Sequence, residues 1–253
     1  MSQQKHAKDF AALHRRDQPL ILHNIWDVGS ARAIAKGGAE AVATSSFAVA
    51  AAQGHPDGEV MPFEGTLSLA GRIAESVDLP VSIDFEGGYA VDPDQIYANV
   101  LRLIQTGAIG LNFEDQLVGG DGLHGIVVQQ DRIKAVRRAG LDVGLSLFIN
   151  ARTDLFLKTS DPATHSGLVA KAVERGAAYR DAGADCFFVP GLSDPNLIKS
   201  ICENVPLPVN IMVLDTTAPL DDMAAAGVAR ISHGPAVFME TMAGLAEGRC
   251  RLN

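Results

Sequence analysis

The chain has 253 residues, of which 47% are hydrophobic and 20% are charged, enough to build the core of one α/β barrel. Its net charge of −9, from 21 basic and 30 acidic residues, argues against a nucleic acid or an acidic membrane as the partner. We find neither an apolar run long enough to span a bilayer nor the apolar segment of a signal peptide, and therefore expect a cytoplasmic protein. The three cysteines, Cys186, Cys202 and Cys250, share no metal or redox spacing and are expected to be reduced, mostly buried thiols.

Strand-like and helical patterns alternate along the chain. Hydrophobic periodicity predicts a first helix over residues 3–15. Eight short apolar segments follow that read as strands, at 20–27, 41–46, 81–86, 108–115, 145–154, 186–191, 208–213 and 229–234. Helical patterns lie in the intervals between them, at 94–106, 130–139, 168–182, 196–204 and 220–226.

Four junctions share one form, in which a helical pattern ends on a glycine and an apolar strand begins. They lie at Gly38, Gly107, Gly183 and Gly227, and this arrangement is typical of αβ loops. Eight near-continuous apolar strands, each followed by a helix, predict an α/β fold, a (β/α)8 TIM barrel with an N-terminal helix, over residues 1–253 as a single domain. The C-terminal ends of the strands then share one mouth, where this fold places its chemistry.

Residues 81–89, Val-Ser-Ile-Asp-Phe-Glu-Gly-Gly-Tyr, begin as a strand and end with two carboxylates two positions apart. Since such residues share a strand face, we expect Asp84 and Glu86 to project the same way. Like charges repel unless a cation or proton lies between them, so the pair predicts Mg²⁺, or Mn²⁺ in its place. The alternative is a strand that ends in a solvated turn, where these residue types are common. A second acidic strand end, Glu114-Asp115, favours the metal.

Polar side chains lie at the predicted C-terminal ends of seven strands. They are Trp26, Asp27, Thr44, Ser45, Ser46, Asp84, Glu86, Glu114, Asp115, Arg152, Asp154, Asn210, Ser232 and His233. Several carboxylates, hydroxyls and an amide around one arginine suit a metal-bound anionic substrate that the arginine holds. The alternative for Arg152 is a structural ion pair with Asp154 or Glu114.

Seven segments between residues 22 and 234 carry a family resemblance. They include Thr-Ser-Ser at 44–46, Gly-His-Pro-Asp-Gly at 54–58, Asp-Phe-Glu-Gly-Gly-Tyr at 84–89, Asn-Phe-Glu-Asp at 112–115 and Ala-Arg-Thr-Asp at 151–154. The others are at 24–31 and 227–232. Taken in this order, they resemble the isocitrate lyase/phosphoenolpyruvate (PEP) mutase superfamily, in particular its PEP phosphonomutase-like branch. The resemblance implies a TIM barrel of the phosphoenolpyruvate/pyruvate-domain type.

The resemblance also implies a metal site. Asp84 matches the carboxylate that binds Mg²⁺ most directly. Glu86, Glu114 and Asp57 match the carboxylates that hold the waters of the ion, with Glu86 in a position where the superfamily commonly has Asp.

Substrate contacts follow from the same resemblance. Ser45 and Ser46 match a Ser-Gly pair whose hydroxyl and backbone N–H groups receive a substrate oxygen, and Arg152 matches the arginine that holds the substrate anion. Trp26 and Asn210 are expected to line the pocket. We expect Arg152, His124 and Glu114 to be the catalytic residues.

The loop after predicted strand four, residues 116–125, departs from the superfamily patterns. Lyases carry Lys-Arg-Cys-Gly-His there, with the Cys as acid or base, and mutases carry a Lys and an Asn. Here Gly120 stands at the Lys position and Gly122 at the Cys or Asn position, while His124 remains. We expect a lid on which His124 acts as general acid or base; the alternatives are a surface loop without a catalytic part and a histidine bonded to backbone.

Residues and resemblance together predict a Mg²⁺-dependent enzyme that acts on a small 2-oxo acid through a metal-bound enolate, by C–C bond cleavage or decarboxylation of an oxaloacetate-like acid. One alternative is P–C bond chemistry on phosphonopyruvate, as a mutase or a hydrolase. Another is a barrel that binds an oxo acid without turnover. The resemblance implies a homodimer or homotetramer, and whether the last helix, expected within residues 235–250, is exchanged between subunits stays open.

Overall fold

The computed structural model describes residues 2–159 and 161–248, and its strands form one parallel eight-stranded sheet. The strands are β1 Leu20–Leu22, β2 Val42–Ala43, β3 Val81–Asp84, β4 Gly110–Glu114, β5 Phe148–Arg152, β6 Cys186–Phe188, β7 Val209–Met212 and β8 Arg230–Ser232. Each strand from β2 to β7 pairs with the next, and β8 pairs with β1. A parallel bridge between Ile25 and Thr44 closes the gap between β1 and β2. The predicted (β/α)8 barrel is therefore confirmed.

Helices alternate with these strands. They are α1 Gln3–Ala12, α2 Val28–Lys36, α3 Ser46–Ala52, α4 Phe63–Ser76, α5 Pro93–Gln105, α6 Ile126–Asp142, α7 Val169–Asp181, α8 Pro195–Asn204, α9 Asp221–Ala225 and α10 Ala236–Ala246. A 3₁₀ helix, Pro162–Leu168, precedes α7. Among the residues that the structure describes, no helix combines the length and hydropathy needed to cross a bilayer.

Side-chain caps determine where several helices begin. Asp92 and Asp194 accept backbone N–H groups of the first turns of α5 and α8, whose first residues are prolines. Asp27 forms a capping box with Ser30 at the start of α2. Oδ1 of its carboxylate makes the bonds of this cap, and the position of Asp27 at the mouth stays a prediction.

The buried cysteines agree with the sequence. Cys186 and Cys202 are free thiols, and burial raises the pKa of Cys186 to about 12. Cys250 and the end of the predicted last helix lie outside the described residues.

The barrel interior is polar at mid-height, where this fold more often stacks branched apolar side chains. Asn150 Nδ2 donates to Asn112 Oδ1 over 2.8 Å, and the fully buried Arg230 donates to Ser232 Oγ over 3.0 Å. Ser232 Oγ lies 3.3 Å from Asn210 Oδ1. Asn210 is fully buried in this layer because β7 continues beyond it to Met212. The sequence suggested that Asn210 lies at the end of its strand, whereas the structure places it in the barrel interior.

Helix α1 closes the lower end of the barrel with aromatic rings. Phe10 packs edge-on against Phe148, with ring centroids 5.0 Å apart, and the ring of His14 lies 4.2 Å from that of Phe148. His14 Nδ1 bonds to the carbonyl of Phe10 over 2.8 Å, whereas its Nε2 is buried without a partner. A proton on Nε2 would therefore have no acceptor.

We expect His14 to make the fold acid-sensitive. Burial, followed by the charge of Arg230, lowers the pKa of His14 to about 3. Because this value is below that of the unfolded chain, the contribution of His14 to stability is complete above pH ~6.5 and is lost as pH falls toward 3, by at most ~1.4 kcal/mol per pH unit. Replacing His14 by Phe should reduce the pH dependence of the free energy of unfolding in this range, measured by urea denaturation at several pH values. Equal slopes for the two proteins would contradict this assignment.

Within residues 2–159 and 161–248, no helix covers the outer face of β1. Ile21 of β1 is 42% exposed, in a groove that is also lined by Ile34 of α2 and by Leu220 and Ala224 at α9. The last helix, α10, buries only Ala236, and it exposes the apolar residues Met239, Met242 and Leu245. An exposed outer strand face and a helix with exposed apolar residues therefore coexist in one chain.

Candidate active site

Asp84 ends β3 at the mouth, and three neighbouring segments hold it. Its Oδ2 accepts the backbone N–H of Ser46 over 3.0 Å, and its Oδ1 accepts Asn112 Nδ2 over 3.3 Å. Its own backbone N–H donates to Thr44 Oγ1 over 2.8 Å. The carboxylate orientation is thus fixed by the N-terminus of α3 and by β4.

Glu86 reaches the same site by a different route from the one predicted. Strand β3 stops at Asp84, and Glu86 has a φ of +50°, so the two residues do not share a strand face. The turn nevertheless brings Glu86 to a small pocket that Asp84 and Ser46 also line. Burial, followed by the charges of Asp84 and Asp57, raises the pKa of Glu86 to about 8.

Glu114 ends β4 beside Arg152 of β5. Arg152 Nη1 lies 3.2 Å from Glu114 Oε2, and its Nε and Nη2 lie 2.5 Å and 2.9 Å from the two carboxylate oxygens of Asp154. Burial raises the pKa of Glu114 to about 8, against the opposing charge of Arg152 and with the charges of Asp154 and Asp84 adding to the rise. The structural ion pairs considered for Arg152 are therefore present, and its contact with a substrate stays a prediction.

The segment after β2 brings further polar groups to the mouth. Burial, followed by the charge of Asp84, raises the pKa of Asp57, and a hydrogen bond from the Ser46 side chain opposes the rise. Ser45 caps α3 through the N–H of Ala48, and the backbone N–H of Ser46 is bonded to Asp84. Ser46, Asp57 and Asp84 thus form one connected group.

Trp26 is half-buried and packs edge-on against Phe238 of α10.

The loop over residues 116–125 is a folded hairpin. Gln116 and Leu123 form an antiparallel bridge, and Leu117 N donates to Gly122 O over 3.1 Å. His124 lies at its base and is 7% exposed, with its backbone N–H bonded to Asp115 O and its carbonyl to Arg175. Burial, followed by the charges of Arg132 and Arg175, lowers the pKa of His124. The neutral imidazole is therefore favoured at this position.

Asp115 does not face the mouth, contrary to the sequence prediction. It is fully buried, and its Oδ2 accepts Arg175 Nη1 over 2.8 Å and Tyr179 Oη over 2.6 Å. Its Oδ1 accepts the backbone N–H of Asp154 over 3.0 Å. Neighbouring residues of a strand alternate sides, so with Glu114 directed into the mouth, Asp115 points to α7 and anchors β4 there.

Two residues that the sequence interpretation missed hold the acidic segments together. Glu59 lies two positions after Asp57. Arg132 is fully buried on α6. The sequence signal for Arg132 is that it shares the buried face of α6 with Gln129, Ile133 and Val136, where a charge is unexpected without partners.

The acids suit a divalent cation held largely through water. Asp57, Asp84, Glu86 and Glu114 come from different segments, yet the charge of Asp84 raises the pKa of each of the other three. Oxygen-only donors of this kind suit Mg²⁺, which keeps several waters in most protein sites. Within residues 2–159 and 161–248, no three acidic, histidine or cysteine side chains are spaced to hold a metal ion directly. The four acids thus offer oxygen donors that suit a hydrated ion, and which of them would contact the metal directly stays a prediction.

Fold and site define a (β/α)8 barrel with an acidic mouth beside an ion-paired arginine. The sequence profile of the family described as phosphoenolpyruvate phosphomutase matches residues 10–250. The chain therefore belongs to this family, and its resemblance to the isocitrate lyase/PEP mutase superfamily is confirmed.

Individual relatives include both lyases and phosphonomutases. A Burkholderia cenocepacia protein named as a candidate phosphonomutase is 41% identical, and its crystal structure superimposes with a TM-score of 0.94 over 97% of this chain and 98% of its own. An uncharacterized protein of Mycobacterium tuberculosis is 34% identical over 89% of this chain and 81% of its own length. The 2-methylisocitrate lyase of Escherichia coli is 27% identical over 94% of this chain and 81% of its own. The family is thus one of enzymes, with more than one reaction.

Proposed function

We propose that the protein is a Mg²⁺-dependent enzyme that binds a small 2-oxo acid and cleaves a C–C bond beside the carbonyl. Decarboxylation of an oxaloacetate-like acid is the simplest such reaction. The observation that supports this proposal is the convergence of Asp57, Asp84, Glu86 and Glu114 on one mouth next to Arg152. So many carboxylates in one place are stabilised by protons or by a bound cation, and a 2-oxo acid is a natural chelator of a divalent cation.

Each residue has a proposed role. Asp84 would hold Mg²⁺ directly, and Glu86, Glu114 and Asp57 would hold its waters; Mn²⁺ has the same ligand preference. The ion, when bound, supplies positive charge to the oxygen that becomes negative as the C–C bond breaks.

The substrate would contact the chain through Arg152, Trp26, Ser45 and Ser46. The side chain of Arg152 is 17% exposed, and the planar guanidinium is the group that best matches the two oxygens of a carboxylate. Cleavage releases CO₂ and leaves the electron pair of the broken bond as an enolate, whose carbon takes a proton from water or from His124.

The hairpin over residues 116–125 favours decarboxylation over the cleavage of isocitrate-like substrates and over mutase chemistry. Gly120 and Gly122 occupy the positions where the Lys and the Cys or Asn were expected, so the hairpin supplies neither a cation nor a thiol. Decarboxylation needs only a proton donor of ordinary strength once the enolate has formed. Water meets that need, and His124 would meet it only in its protonated form, which the lowered pKa makes the minor one.

P–C bond chemistry is the second candidate. The 41% identity to a protein named as a candidate phosphonomutase favours it. A barrel that binds an oxo acid without turnover is the third. The positions Gly120 and Gly122 argue against a mutase, and the complete set of mouth acids argues against a binding protein without catalysis.

An assay of 2-oxo diacids, 2-hydroxy diacids and phosphonates with Mg²⁺ distinguishes the candidates. We expect CO₂ release from an oxaloacetate-like acid. Conversion of phosphonopyruvate, followed by ³¹P NMR, would instead establish P–C chemistry. Metal-dependent binding across the panel without any turnover would establish the third candidate and reject the proposal.

We also propose that the chain forms a homodimer or homotetramer in which α10 of one copy covers β1 of another. The groove beside Ile21 and the exposed methionines of α10, Met239 and Met242, are apolar surfaces of matching character. Replacing Ile21 by Asp is expected to shift the protein toward monomers, measured by size-exclusion chromatography with light scattering. Replacing Val143 by Asp, at a second exposed apolar position, is the control. An unchanged oligomer of the Ile21→Asp protein would contradict this arrangement.

A further inference from the structure

The backbone next to the mouth adopts an unusual conformation at three places. Glu59, Glu86 and Tyr89 have φ values of +59°, +50° and +56°, and they are the non-glycine residues with positive φ among those that the structure describes. A side chain disfavours this region, so such residues persist where their surroundings hold them. Hydrogen bonds connect all three residues around the turn that follows β3 and carries Glu86.

Glu59 connects the other two. Its backbone N–H donates to Glu86 Oε2 over 2.6 Å, and its Oε1 accepts the backbone N–H of Tyr89 over 2.7 Å. A further bond comes to its carboxylate from the backbone of Gly87. The backbone of Glu59 thus holds the Glu86 carboxylate, while its side chain holds the turn on which Glu86 is carried.

Arg132 holds the same turn from the other side and joins it to β4. Its Nη2 donates to Gly87 O over 2.6 Å and to Ala90 O over 3.3 Å, and its Nη1 donates to Glu114 O over 3.3 Å. The guanidinium lies over the ring of Phe113, 4.8 Å from its centre. A single buried cation therefore connects the two segments that carry Glu86 and Glu114.

Gly87 shows how closely the two side chains approach the turn. A Cβ at this position would lie 2.9 Å from Val118 Cγ2, 3.1 Å from Glu59 Oε1 and 3.5 Å from Arg132 Nη2. The turn is therefore closely packed by Val118 and Glu59, with Arg132 in contact beside them. The position of the Glu86 carboxylate thus depends on both side chains.

We propose that Glu59 and Arg132, the Glu59–Arg132 clamp, are positioning residues that fix Glu86 and Glu114 relative to one another for cation binding. The identity of the cation rests on the proposed function, whereas the positioning of the two acids does not. Both residues act through backbone groups of the acidic segments. Residues that orient metal ligands typically contribute about 10- to 100-fold in metal affinity.

Two substitutions of Glu59 separate positioning from charge. Glu59→Gly removes the carboxylate and tolerates the positive φ, so the backbone is not strained further. Glu59→Gln removes the charge and keeps an oxygen that accepts the N–H of Tyr89. Glu64→Gly, at an exposed glutamate paired with Arg102 over 2.6 Å, is the matched control.

The first measurement is hydrogen exchange of residues 84–90 in metal-free protein. We expect the amide of Tyr89 to exchange about tenfold faster or more in Glu59→Gly, and within about threefold of wild type in Glu59→Gln and in the control. Unchanged exchange in Glu59→Gly would overturn the positioning role. This result does not depend on any metal.

The second measurement is the Kd of Mn²⁺, followed by electron paramagnetic resonance without substrate. Glu59→Gly and Arg132→Lys, which replaces the forked guanidinium by a single ammonium, should weaken binding by about 10- to 100-fold, whereas Glu59→Gln should restore it. Equal losses in Glu59→Gln and Glu59→Gly would show that the charge matters rather than the hydrogen bonds, and would overturn the proposal. A wild-type protein that binds no Mn²⁺ would reject the metal of the proposed function, and exchange at Tyr89 would still decide the role of the clamp.

Discussion

Replacing Asp84 by Asn should lower kcat/KM by roughly three powers of ten and abolish binding of Mg²⁺. The variant keeps an oxygen that can accept the N–H of Ser46, so the end of β3 and the start of α3 stay joined. What it loses is the negative charge of the residue that we propose as the direct ligand. A metal ion acting on a developing oxyanion contributes several kcal/mol to catalysis, and each ~1.4 kcal/mol corresponds to a factor of ten in rate.

Asp121→Asn is the control for this experiment. Asp121 is exposed on the hairpin and carries the same charge, so its loss changes the net charge equally without touching the mouth. We expect wild-type turnover and wild-type Mn²⁺ affinity from it. Full activity of the Asp84→Asn protein would remove the metal mechanism altogether.

The second large effect is expected at Arg152. Arg152→Met would leave Glu114 and Asp154 buried without their cation, and removing one partner of a buried ion pair typically costs about 3–5 kcal/mol. Arg152→Lys keeps the charge but loses the planar fork that binds a carboxylate through two bonds. We therefore expect Met to lower the free energy of unfolding strongly, and Lys to raise KM while preserving most of the stability.

Arg102→Met serves as the control for stability. Arg102 forms an exposed ion pair with Glu64, and such pairs contribute about 0–1 kcal/mol. Urea denaturation and steady-state kinetics on the three proteins separate folding from substrate binding. An Arg152→Lys protein with an unchanged KM would show that the arginine supports the structure and does not hold the substrate.

The sequence predicted the barrel because its strand and helix periods alternate regularly, and because glycines mark the αβ junctions. It could not predict the path of the chain at Glu86, since a positive φ at a glutamate leaves no trace in the residue pattern. The acids at positions 84 and 86 looked like neighbours on a strand, but they meet because the turn after β3 brings Glu86 to the pocket that Asp84 lines. Strand alternation could have shown that Asp115 faces away from the mouth, because Glu114 directly precedes it.

Long-range contacts account for what else the sequence did not reveal. Arg132 is 45 positions from Gly87 and 18 from Glu114, so nothing local identifies its partners. The capping bonds between Asp27 and Ser30 are local, but the sequence interpretation treated Asp27 only as a polar residue of a strand end. Asn210 looked like a residue of the strand end, and its burial beside Ser232 of the neighbouring strand places it inside the barrel.

The polar layer inside the barrel bears on how the mouth is electrically balanced. Arg230 is fully buried there, and Asn112 bridges it to Asp84, donating to the carboxylate and accepting the guanidinium. Burial lowers the pKa of Arg230 to about 10, and the charge of Asp84 opposes this shift, so the two groups influence each other across the amide. A cation at the proposed site would therefore meet acids whose field is already reduced by a positive charge inside the barrel, and Arg230 would weaken the binding of that cation.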